Sequence, residues 1–217
     1  MNAAPSTQPS TENDPAPAHL SAAQAAQARH SVRLYTDQPV TDDELTALLD
    51  ATRRVPSANN AQPWRFIAVR DTALKTELMA ASFNQQQVGK APVVLVLYSD
   101  MEDVLANLGE IVHPNLSPEV QSTTIARLAK TWGDWGVEQR AVWANSQANI
   151  ALGYLLLLAR AQRLATSPML GFKPELVKPL LGIPEHAQIA ALVAIGHPAD
   201  DGFPSHRREL DRITTYR

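Results

Sequence analysis

Residues 93–98 read Val-Val-Leu-Val-Leu-Tyr, a continuous apolar run bounded by Pro92 and Asp100, which is the pattern of a strand buried on both faces. Phe66-Ile67-Ala68-Val69 and Ile189–Ile195 carry the same signature and predict two further strands. Elsewhere the period changes to that of a helix. Leu45, Leu48 and Leu49 line one face of a helix that Thr41-Asp42-Asp43-Glu44 opens and that ends near Arg54. The Thr41 hydroxyl and Glu44 carboxylate suit a capping box, so this acidic cluster reads as capping and dipole matching rather than as a catalytic pair. Helices are also expected over about Leu20–Arg29, Thr72–Ala81 and Val137–Arg163, with a short one opened by Pro174. Residues 103–130 read as mostly helical with a break at His113-Pro114, and Trp132–Gly136 as a turn-rich insert. Ser31–Tyr35 is expected to be extended, with Val32 and Leu34 on one side and Ser31, Arg33 and Tyr35 on the other.

Helices thus outnumber strands, and the fold class is α+β in a single domain over residues 19–217. Residues 1–18 are rich in Ala, Pro, Ser and Thr and lack an apolar run, so they are expected to form a disordered tail. No repeat is present.

Composition narrows the function. The net charge of -3 gives no basic field to attract nucleic acid. Cys is absent, which removes disulfides, thiolate metal sites and a cysteine nucleophile, and fits a cytoplasmic address. The most apolar helical stretch, Ile150–Ala159, is too short to span a bilayer and reads as a buried helix, so no membrane partner is expected. The six His residues show no metal-ligand spacing, so no metal is expected. No G-x-G-x-x-G, Walker A or G-x-S-x-G motif occurs. A nicotinamide, if used, does not enter through a Rossmann fold, and a bound cofactor in another cradle is the natural alternative.

Five segments are candidates for that cradle. In Arg29-His30-Ser31-Val32-Arg33, extended chain would let Arg29, Ser31 and Arg33 converge on a phosphate or a heterocycle edge, although taken alone the pattern is better explained by two surface arginines flanking a serine. Pro56-Ser57-Ala58-Asn59-Asn60-Ala61-Gln62-Pro63-Trp64 is too long and polar for an ordinary turn, with Trp64 itself reading as core. Phe83-Asn84-Gln85-Gln86-Gln87 offers amide donors and acceptors that match a pyrimidine-like edge, or it is simply a polar loop. Ala165-Thr166-Ser167-Pro168-Met169-Leu170-Gly171-Phe172 reads either as a helix exit or as a loop where Gly171 lets the backbone approach a flat ligand. Pro204-Ser205-His206-Arg207-Arg208 is a short basic patch suited to phosphate, or a solvated tail.

Taken in order and spacing, these segments, with Gly196-His197-Pro198, resemble the FMN-binding nitroreductase family over about residues 28–213. The resemblance implies a sandwich with a central, mostly antiparallel sheet flanked by helices, an intertwined homodimer with a C-terminal arm, and FMN at the dimer interface. It implies cofactor contacts from Arg29, His30, Ser31 and Arg33, from Asn84 and Gln87 at the pyrimidine edge, and from Arg207 and Arg208 near the phosphate. Pro56, Ser57, Ala58 and Asn60 would reach the flavin of the other subunit, and Pro168, Met169, Leu170 and Gly171 would present backbone to it. Phe83, Trp132 and Trp135 would border the substrate opening. No catalytic side chain is expected, because the flavin N5 carries hydride from NAD(P)H to a small-molecule acceptor of nitroaromatic or quinone type in a ping-pong cycle. The same cradle would serve a relative acting on activated C=C bonds or halogenated substrates, or a flavin-binding module without turnover.

This sequence departs from common family patterns at Leu170, at Gln87, where some members carry Lys, and at Ser205-His206, where a Lys is frequent.

Overall fold

The computed structural model describes residues 19–217, so the expected N-terminal tail lies outside the described residues. A four-stranded sheet has the order β1 (Trp64–Val69), β2 (Val93–Ser99), β4 (Gln188–Gly196), β3 (Ala165–Met169), and every pairing in it is antiparallel. The apolar run of β2 is continuous because both its faces are covered. Val94 and Val96 pack with α3 (Thr72–Ala81), α4 (Gln86–Lys90) and α9 (Pro174–Leu181). Val93 and Leu95 point the other way, onto α2 (Asp42–Thr52) and α8 (Val137–Ala161) through Leu48, Leu155 and Ala159. Burying such side chains on both faces is the main stabilising contribution to the sandwich.

The remaining helices are α1 (Ala22–Ala28), α5 (Met101–Ala106), α6 (Leu108–Ile111) and α7 (Pro118–Gly133). Ser21 and Gln24 close a capping box on α1, and Thr41 and Glu44 close the expected one on α2. Glu44 Oε2 accepts from the Thr41 N–H at 2.8 Å, while the Glu44 N–H donates to Thr41 Oγ1 at 3.2 Å. Thr41→Ala is therefore expected to cost about 1 kcal/mol, lowering the melting temperature by roughly 2–4 °C in a thermal scan.

Three expectations change. Residues 132–136 do not form an insert of turns: α7 continues to Gly133, and Trp132 is 1% exposed among Leu128, Val104 and Ala144. Residues 165–169 form the edge strand β3 rather than a helix exit, and an edge position tolerates Pro168. Finally, Val32 and Leu34 do not share a face. Val32 is buried and Leu34 is half exposed, because Tyr35 turns inward and its hydroxyl donates to the Val32 carbonyl at 2.8 Å. Burial pushes the Tyr35 phenol well above its ordinary value, so it stays a neutral donor.

Candidate cofactor site

The segment Arg29–Arg33 lies along the outside of β3, joined to it by a parallel bridge between Ser31 and Thr166 and by the Val32 N–H to the Thr166 carbonyl at 3.1 Å. Beyond Val32 the chain passes to the end of the sheet where Gly196 faces Ala165: Tyr35 bridges Pro198, and the Thr36 N–H donates to the His197 carbonyl at 2.9 Å. The C-terminal arm crosses back over it. Ser205 Oγ donates to the Arg29 carbonyl at 3.1 Å. At Gly202, where φ is +60°, a Cβ would lie 2.9 Å from His30 Cδ2 and 3.2 Å from the Ser31 carbonyl. Arm and segment enclose a cavity of about 410 Å³ lined by Ser31, Arg33, Leu34, Asp200, Asp201, Gly202 and Phe203. His30 Nε2, next in the chain to Ser31, is buried without a hydrogen-bond partner.

This arrangement brings Arg29 and Arg207 together from distant parts of the chain. Burial, then the nearby Arg207 charge, lowers the Arg29 pKa. Neither guanidinium has a carboxylate partner within ion-pair distance among the described residues. Two like charges held near each other, one of them partly buried, are unfavourable until an anion joins them. A phosphate fits that requirement.

A second cluster forms where α3 leads into α4. Phe83 and Asn84 both adopt left-handed backbone, with φ of 56° and 57°. That conformation is costly for a bulky residue and is typically found where function requires it. Gln87 Nε2 donates to Gln85 Oε1 at 3.2 Å, and Gln85 Nε2 donates to the Gly171 carbonyl at 2.7 Å. A Cβ at Gly171 would meet Phe83 at 3.6 Å, so the glutamine loop and the turn after β3 form one wall. Gln85 is the residue that sequence reasoning missed. The run of three glutamines holds it, but only the fold reveals that it ties the wall together. Gln87 itself sits in α4, not in a loop, and is largely buried.

Not every expected contact joins this wall. Met169 is 4% exposed and packs in the core with Leu78 and Val177, so its side chain cannot reach a ligand. Pro168 belongs to the β3 ladder opposite Val193. Of that segment only Leu170 and Gly171 are presented outward. Trp132, expected at the substrate opening, is instead wholly interior and borders no opening of the protomer. Trp135 is half-buried beside Trp143, at 5.9 Å between ring centres, and lines an open groove with Val142 and Ser146.

The third cluster stands apart. Ser57 to Gln62 precedes β1, the opposite edge strand, and joins the sheet at the end where Trp64 faces Ser99. Asn59, Asn60 and Gln62 are left-handed, with φ of 53°, 57° and 45°. The turn is fastened inside its own chain: Ser57 Oγ accepts from the Gln62 N–H at 3.0 Å. The Ala58 N–H donates to Gln147 Oε1 at 3.0 Å, and Asn60 Nδ2 donates to the Ile111 carbonyl at 3.0 Å. Three inter-strand spacings put the two sheet edges roughly 14 Å apart. One protomer thus divides the candidate segments between the two opposite edges of its sheet.

Comparison with known proteins identifies relatives of the chain and of its fold. A model described as the nitroreductase family matches residues 26–197. The chain belongs to that family. Over 198 residues it is 48% identical to a protein of Thermus thermophilus named NADH dehydrogenase, a match covering 91% of this chain and 97% of that one. A nitroreductase family protein from Streptococcus pneumoniae shares the fold, with a TM-score of 0.81 at 24% identity over 90% of this chain and 99% of that one. A protein from Exiguobacterium sibiricum, described as of nitroreductase type and solved in complex with FMN, gives a TM-score of 0.80 at 23% identity, covering 91% and 98%.

Proposed function

We infer that this nitroreductase-family protein is an FMN-dependent oxidoreductase that takes electrons from NAD(P)H in a cytoplasmic setting and works as a homodimer. The observation that carries the reading is the split of the cradle. Arg29, Ser31, Arg33, Arg207, Gln87 and Gly171 gather along the β3 edge, while Ser57, Ala58 and Asn60 stand at the β1 edge. A second copy is what brings the β1-edge turn to a ligand held at the β3 edge. The outer side of α8 supports this, because the apolar side chains of Val142, Ile150 and Tyr154 stand exposed on it while Ala148, Ala151 and Leu155 are buried.

Arg29 and Arg207, with Arg208 beside them, would hold the phosphate. Gln87 and Asn84 would face the pyrimidine edge, and the backbone at Leu170 and Gly171 would orient the ring. When bound, FMN supplies two-electron hydride chemistry between NAD(P)H and an electron-poor acceptor in alternating half-reactions. The chain's own part is binding, orientation and charge: Arg33 and the Gln87 amide favour the more negative, reduced state of the ring. Nitroaromatics and quinones are the acceptor classes this open rim suits, with Phe83 and Trp135 beside the entrance.

Anaerobic mixing tests the reading. NADH or NADPH is expected to bleach the bound flavin band, and a nitroaromatic or quinone is expected to restore it. A flavin band that neither nicotinamide bleaches would overturn the enzyme reading and leave a binding module.

A further inference from the structure

One cation on the wall formed by Phe83, Gln85 and Gly171 has no partner that the fold requires. Lys173 stands at the cap before α9, its backbone N–H donating to the Ala81 carbonyl at 2.9 Å, which fixes where the side chain starts. Its Nζ lies 5.9 Å from the centre of the Phe83 ring. Among the described residues no carboxylate lies within ion-pair distance of that ammonium. The ring beneath it is 63% exposed and held in left-handed backbone, and Leu170 on the same rim is 74% exposed. Neither apolar side chain gains burial in return for its position. A solvated lysine resting on a phenyl ring would account for the cation alone. It would not account for a strained, exposed aromatic and an exposed leucine converging on the wall that faces the flavin.

A flat apolar rim topped by one free ammonium matches an aromatic ring that carries an anionic substituent. We propose that Lys173 is a specificity residue of this site. Its ammonium receives the carboxylate of an aromatic acid whose ring lies against Phe83 and Leu170, so anionic aromatic acceptors are preferred to neutral ones of the same shape. The inference rests on the flavin reading above and deepens it by naming the acceptor class. An ion pair on an open rim is screened by salt, so the preference shrinks as ionic strength rises.

Benzoate and benzamide are matched probes, alike in shape and different in charge. Each is titrated into the oxidised, FMN-loaded protein while the perturbation of the flavin band is followed. Benzoate is expected to bind more tightly than benzamide to the wild type. Lys173→Gln should weaken benzoate about fivefold, the scale of an exposed ion pair, and shift benzamide by less than about twofold. Lys173→Arg should keep the preference. In turnover, Lys173→Gln should raise KM for 4-nitrobenzoate while kcat, and KM for nitrobenzene, hold. Equal binding of the two probes by the flavin-loaded wild type, or equal weakening of both in Lys173→Gln, would overturn this inference alone. A wild type that takes up no flavin would overturn the flavin reading and this inference with it.

Discussion

Arg29→Glu is expected to strip the protein of FMN, raising the dissociation constant at least about 100-fold. A charge-assisted hydrogen bond to phosphate contributes roughly 1.5–3 kcal/mol, and reversing the charge adds repulsion, so two decades is a conservative expectation. The same substitution should not weaken the fold. Arg29 and Arg207 oppose each other in the apo protein, and a carboxylate in place of one guanidinium turns that repulsion into attraction. The expected result is therefore loss of FMN on gel filtration together with an apo melting temperature no lower than the wild type's. FMN affinity within about threefold of the wild type would contradict the assignment of the phosphate to this pair.

Gly196→Val is expected to destabilise the protein by about 3 kcal/mol or more and to weaken FMN binding at the same time. Gly196 ends β4 opposite Ala165, and a Cβ there would lie 2.7 Å from both Pro92 Cδ and Tyr35 Cδ1. Neither neighbour can yield cheaply. Pro92 is a closed ring just before β2, and Tyr35 is anchored by its hydroxyl, whose one proton lies between the Val32 and Ala194 carbonyls at 2.8 and 3.2 Å. Pushing Tyr35 aside moves Val32, and with it Ser31 and Arg33 beside β3. Urea unfolding and an FMN titration of the same variant check both halves. A Gly196→Val protein with the wild-type midpoint would contradict the close packing at this corner.

How far the sequence reveals the site depends on the range of each interaction. The capping box at Thr41 and Glu44 is legible because both partners lie within one turn. The apolar run of β2 is legible because burial on both faces leaves its mark on every residue. β3 is not. Its Ser167 and Pro168 lack strand composition, and what makes the segment a strand is the neighbouring β4 and the bridge to Ser31, neither visible locally. Trp132 misleads for a similar reason. Flanked by Gly133 and Trp135, it looks like part of an exposed turn, yet α7 carries it into the core.

For the site, residue chemistry marks the right segments, but only long-range contacts sort their members. Gln85 reaches Gly171 across 86 positions, and the Arg29 backbone meets Ser205 across 176. Placing Arg29 with Arg207 comes from resemblance alone at the level of sequence, since no local pattern joins them. The split of the candidate segments between two sheet edges follows from strand order, which residue spacing does not encode.

The central claim is that FMN is held between two copies of the chain. The most direct measurement is the mass of the FMN-loaded species in solution, by light scattering after gel filtration, together with the amount of FMN released on denaturation. The account predicts a particle of twice the chain mass with one FMN for each chain. A monomer of 23.6 kDa that retains FMN at the same affinity would contradict it.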